Sequence, residues 1–116
     1  MKILAIDPGT EKSGIVICNI DRSIDLAVEL ENDAVLNEIR VQNIDEVVIE
    51  TIESFGLAVG KTTFQTCIWI GRFWEAWKIH SEKDPHIISR GDEKIVLCGA
   101  KKIGRASCRE RVSDYV

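Results

Sequence analysis

No apolar run in these 116 residues approaches the ~20 needed to cross a bilayer, and the opening Met1-Lys2-Ile3-Leu4-Ala5-Ile6-Asp7 has no signal-peptide pattern. A cytoplasmic protein with no membrane partner is expected. The four cysteines, Cys18, Cys67, Cys98 and Cys108, form no CxxC pair, and neither histidine stands at zinc-ligand spacing from them. The pattern gives no sign of a zinc module, and reduced thiols in a core or on a surface are expected. Internal repeats and low-complexity segments are also missing, and the length suits one small domain. A basic excess is lacking too: the net charge is −4, which taken alone argues against a nucleic-acid partner.

The distribution of charge weakens that objection. Residues 1–60 carry 12 acidic and 4 basic side chains, whereas residues 61–102 carry 5 acidic and 8 basic. An acidic half able to hold cations beside a basic half able to hold phosphates is compatible with a metal-dependent nuclease.

Hydrophobic periodicity gives the element order. Lys2 to Asp7 reads as a buried strand ending in a carboxylate, followed by the turn Pro8-Gly9-Thr10. Gly14–Asn19 and Ser23–Leu30 read as two more strands in an antiparallel meander, joined at Ile20-Asp21-Arg22. Asn32 or Asp33 can cap a short helix with Val35, Leu36, Ile39 and Val41 as its apolar positions. Asp45–Glu50 is a fourth strand, again ending in an acid. A long helix over 62–80 presents Phe64, Cys67, Ile68, Gly71, Trp74 or Phe73, and Trp77 at three- and four-residue steps. His86–Ser89 is a short fifth strand after Pro85, and a further helix can begin near Gly91. This order predicts an α/β fold with a mixed five-stranded sheet, strand four lying parallel to strand one.

Asp7 and Glu50 each end an apolar strand. If those strands are parallel neighbours, their Cα atoms lie roughly 5 Å apart. Carboxylates that close repel unless a cation lies between them, and a hard divalent ion such as Mg2+ is the usual solution. Spacing alone leaves the plainer alternative open, that Asp7 begins a turn and Glu50 ends a strand in water.

The motif Ile6-Asp7-Pro8-Gly9-Thr10, followed by Ser13-Gly14, resembles the opening of RuvC-family Holliday-junction resolvases. Val47-Val48-Ile49-Glu50, with the Gly56-to-Gly60 loop and an aromatic-rich helix after it, resembles that family's second motif. The stretch from Glu50 to Trp77 is especially similar to RuvC-like proteins of phages and prophages. The resemblance covers about residues 1–101 and implies an RNase H-like fold. It also implies Mg2+-dependent (or Mn2+-dependent) hydrolysis of phosphodiesters in four-way or branched DNA during recombination, repair or phage DNA processing. By the same resemblance Asp7 and Glu50 would be metal ligands and catalytic, and Lys94 would stabilise charge at the scissile phosphate. Phe55 would stack near the branch point, and Lys61 and Arg72 would contact phosphates. Plainer roles stay open for these: Phe55 as a cap on the core, Lys61 and Arg72 as solvated helix charges, Glu53 as a solvated acid rather than a neighbour of the metal site. A homodimer is implied, with Trp69, Trp74 and Trp77 on the aromatic helix as part of its interface. The alternatives are an rRNA-processing nuclease of the same fold and a non-catalytic nucleic-acid-binding relic.

Two other motifs fail. Gly56 to Thr62 invites a P-loop reading, but that loop needs four residues between its glycines and here there are three. No nucleotide cofactor is expected. Asp7 to Thr10 also resembles the phosphate hairpin of actin-like ATPases and sugar kinases, which require two such domains. After Lys101 the resemblance to the nuclease family stops. Lys102 to Val112 matches the in-frame translation of a common short-read sequencing adapter, as expected of a metagenomic assembly. Residues 102–116 are therefore expected to be a non-native tail, with domain 1–101 cut short before its last helix and remaining carboxylates, and the chain as written nearly inactive.

Overall fold

The computed structural model describes residues 1–52 and 60–89. Phe55, Lys94, Glu53, the helix expected from Gly91 and the tail 102–116 lie outside the described residues. The elements are β1 (Lys2–Asp7), β2 (Lys12–Asn19), β3 (Ile24–Glu31), α1 (Asn32–Val41), β4 (Glu46–Thr51), α2 (Lys61–Ser81) and β5 (His86–Ser89). They form the expected mixed sheet, in the order β3-β2-β1-β4-β5, with β1–β2 and β2–β3 antiparallel and β1–β4 and β4–β5 parallel.

Alternation assigns the faces. Leu4 and Ile6 of β1, Ile15 and Ile17 of β2, and Val47 and Ile49 of β4 point to one side. There they pack with Val35, Leu36 and Ile39 of α1 and Phe73, Ala76 and Trp77 of α2 in a single core. Both described helices thus cover the same face, and the opposite face carries Ile3, Ala5 and Asp7 beside Val48 and Glu50.

Two details differ from expectation. Asn32 is the first residue of α1 and not its cap; Glu31 holds the cap position without a side-chain hydrogen bond. The side chain of Asn32 is directed to Ser13 and Gly9 instead. The second difference is the phase of α2. Of the expected stripe only Phe73 and Trp77 are buried, together with Thr66 and Ala76, while Phe64, Cys67, Ile68, Gly71 and Trp74 face outward. Apolar residues occur nearly all round this helix, so the 3.6-residue period had no single solution. Burial of Trp77, at 1% exposure, also removes it from any interface between subunits, whereas Trp74 remains available.

The β2–β3 hairpin is held by aspartates. The Ser23 amide and hydroxyl both donate to Asp21, and Arg22 takes a left-handed conformation at φ 74°. Asp25 accepts from Lys2 and from Asn19 Nδ2. The Ser23 hydrogen bonds hold the Asp21 carboxyl below its ordinary value of 3.8, and those from Lys2 and Asn19 do the same for Asp25. A carboxylate depressed by folding stabilises the native state above its unfolded value and loses that contribution as pH falls through its folded value. Acidification below the ordinary aspartate value should therefore loosen this hairpin before the core. Amide exchange of residues 19–25, followed against Val47 and Ile49 as pH is lowered, tests this; equal loss of protection at both places would refute it.

Candidate metal and nucleic-acid site

The parallel pairing of β1 with β4 decides where the acids meet. Ile3 pairs with Glu46 and Ile6 with Ile49, so one further step sets Asp7 beside Glu50 on the same face. At the far end of the same pair the register is clamped by a reciprocal contact. The Lys2 amide donates to Asp45 Oδ2 at 2.7 Å, and the Asp45 amide donates to the Lys2 carbonyl at 2.9 Å. With the strand separation of a sheet, the Asp7 and Glu50 backbones lie about 5 Å apart.

Glu50 is 6% exposed, and among the described residues it is the one buried charged side chain. Burial of a carboxylate is costly unless opposite charge or hydrogen bonds compensate it. Such placement is characteristic of sites that use the charge. Asp7 is half-buried beside it. Among the described residues no group of three His, Cys, Asp or Glu side chains is arranged to hold a metal. The donor chemistry of the pair nevertheless suits Mg2+, which commonly takes one or two carboxylates and completes its shell with water and substrate phosphate.

Gly14 pairs with Asp7 on its other side, and Glu29 pairs with Gly14. A cross-sheet row Glu29, Gly14, Asp7, Glu50 results, with no side chain at Gly14 to obstruct approach to Asp7. Alternation within β3 could have put Glu29 on this face, but only the observed register places it in the acid row.

The basic candidates lie along α2. That helix returns from the carboxyl edge of β4, and just beyond its end Lys83 reaches the Asp45 carbonyl and Glu46 at the amino edge. Its N-terminus, with Lys61, therefore lies toward the edge holding Asp7 and Glu50. The first turn contains no acid and Gly60 gives no side-chain cap, so among the described residues no charge on the helix itself offsets the positive end of its dipole. Arg72 is eleven residues further along, about 16 Å by helix rise. Its guanidinium lies over the Trp69 ring, 4.0 Å from the centroid. The structure thus brings Asp7, Glu50 and the Lys61 end of α2 to one edge and sets Arg72 apart from them.

No family model matches the chain, and no curated protein matches it. Solved structures do. The chain resembles a Thermus thermophilus RuvC structure at TM-score 0.68 and 13% identity, over 91% of this chain and 74% of that one. The fold is RuvC-like. A second structure, T. thermophilus RuvC in complex with Holliday junction substrate, gives TM-score 0.67 at 13% identity, over 91% of this chain and 73% of that one. At that identity the likeness is one of fold. Within the RuvC-like fold, the sheet order and the β1–β4 pairing are what carry Asp7 to Glu50.

Of the remaining groups, Cys18 lies half-buried on the face that carries Asp7, and burial, then the nearby Asp25, push its thiol up. It is thereby a poor nucleophile near neutral pH. Among the described residues no helix is long and apolar enough to cross a membrane.

Proposed function

We propose that Asp7 and Glu50 are metal ligands of a divalent-metal-dependent nuclease acting on branched DNA, with Mg2+ the expected ion and Mn2+ a substitute. The carrying observation is the placement of the sole buried charge among the described residues, Glu50, beside Asp7 on a RuvC-like sheet. Asp7 and Glu50 would hold the ion, whose chemistry is to activate water and neutralise charge on the phosphodiester. Lys61 and the open end of α2 would draw the phosphate backbone toward that edge. Arg72, stacked on Trp69, would contact a phosphate farther along the duplex arm. The likeness to a RuvC solved with a Holliday junction favours branched DNA over structured RNA as the substrate. Phe55 near the branch point, Lys94 at the scissile phosphate, and a homodimer using Trp74 and the outer face of α2 belong to the same reading. A two-fold-related pair of sites would suit a four-way junction.

The deciding experiment is a mobility-shift comparison of the purified chain with a four-way junction and a linear duplex of the same arm sequences. Tighter binding of the junction is expected, with a loss of affinity as salt rises. Equal binding of both, or preference for structured RNA, would discard the branched-DNA reading.

A further inference from the structure

The turn that follows Asp7 is closed by a ring of hydrogen bonds. The Gly9 amide donates to Ser13 Oγ at 3.1 Å, and the Ser13 hydroxyl donates to Asn32 Oδ1 at 2.5 Å. Asn32 Nδ2 then donates back to the Gly9 carbonyl at 3.1 Å. A fourth bond, from the Asn32 amide to the Glu11 carbonyl at 2.8 Å, ties the start of α1 to the same turn. Ser13 and Asn32 are each only 1% exposed. Both backbone groups of Gly9 are thereby used, two residues after Asp7. The turn is also too tight for any other residue. A Cβ on Gly9 would lie 2.1 Å from the Lys12 carbonyl oxygen, a backbone atom that cannot step aside without opening the turn.

We propose that Ser13 and Asn32 are positioning residues for Asp7, fixing the turn so that its carboxylate is held in register with Glu50; this rests on the metal reading of that pair. Three observations carry it. The ring joins β2, the β1–β2 turn and the start of α1. Ser13 and Asn32 are two of the four buried polar or charged side chains among the described residues, and each of these bonds is made to another member or to the turn. Buried polar groups are costly unless fully satisfied, and a satisfied ring specifies one geometry where apolar packing would tolerate several. Proline at position 8 fixes its own φ, one of the backbone torsions between Asp7 and the ring. A shift in the turn would therefore pass directly to Asp7, whereas Glu50, on β4, would stay in place.

The full chain is tested as wild type, Ser13→Ala, Ser13→Thr, the double variant Ser13→Ala/Asn32→Leu, and Asp7→Asn. The double variant removes both partners of the Ser13–Asn32 bond together, so neither side chain is left facing a lost partner in the other, while the Gly9 amide and carbonyl are released. Two quantities are read: exchange of the Gly9 amide, and affinity for Mn2+ by electron paramagnetic resonance. Loss of the ring is expected to speed Gly9 exchange about tenfold and to weaken Mn2+ binding about tenfold, with Val47 and Ile49 exchange unchanged. Ser13→Thr, which keeps the hydroxyl, should restore both. Mn2+ affinity within twofold of wild type in Ser13→Ala and in the double variant, while Asp7→Asn abolishes binding, would overturn the proposal. If wild type shows no Mn2+ binding that Asp7→Asn removes, the metal reading falls. The ring is then judged on exchange alone, and an unchanged Gly9 amide overturns it as well.

Discussion

Asp7→Asn is expected to weaken Mn2+ binding at least about 100-fold, while the metal-free chain unfolds at a temperature no lower than wild type. The substitution keeps the shape of the side chain and removes one of two charges that the β1–β4 register sets side by side. With a divalent ion present both charges attract it, and loss of either should exceed the roughly tenfold penalty typical of a supporting residue. Without the ion they repel, so neutralising one should not harm the fold. Glu50→Gln should behave alike. Spectroscopic titration with Mn2+ and thermal unfolding in a chelator give the two numbers. Loss of stability with unchanged metal affinity would mean that Asp7 serves the turn and not an ion.

Trp77→Ala should cost about 3–5 kcal/mol, enough to unfold a domain whose whole stability is of the order of 5–15 kcal/mol. Trp77 and Phe73 are the largest fully buried side chains and join α2 to the sheet and α1. Trp77→Phe should cost far less. Among the described residues the Trp77 indole nitrogen makes no hydrogen bond, so phenylalanine gives up volume but also an unsatisfied donor. Phe64→Ala, at 62% exposure, should change stability by no more than about 0.5 kcal/mol. Urea unfolding of the three variants orders them. A Phe64→Ala variant as damaged as Trp77→Ala would show that the outer face of α2 is packed against something.

The strands are legible because each is short, apolar and bounded by turn residues, and the carboxylates because each ends such a strand. Parallel pairing of β1 with β4 follows from the order of elements, since the only route from β3 to β4 runs through α1. What the pattern cannot give is the phase of α2. Its Phe64, Ile68, Trp74 and Trp77 satisfy two competing faces, and the choice is made by the sheet beneath, where Phe73 and Trp77 join the same core as Ile49 and Leu4. Asn32 reads as a cap from its type and position, the common local use of that side chain. Its actual partners, Ser13 and Gly9, are distant in sequence and become neighbours only when β2 and β3 have paired. Glu29 gives no sequence signal for the same reason, because its place in the acid row depends on the register of two antiparallel pairs.

The clamp between Lys2 and Asp45 joins residues 43 positions apart. Meander strands β1 to β3 close through short turns and can form early, but β1 and β4 meet only after the intervening chain has been laid down and α1 has crossed over. Until that late step the two acids are held on separate pieces of chain. A nascent or partly unfolded copy would therefore lack the assembled acid pair, and any ion or phosphate that needs both carboxylates would find them together only in finished molecules.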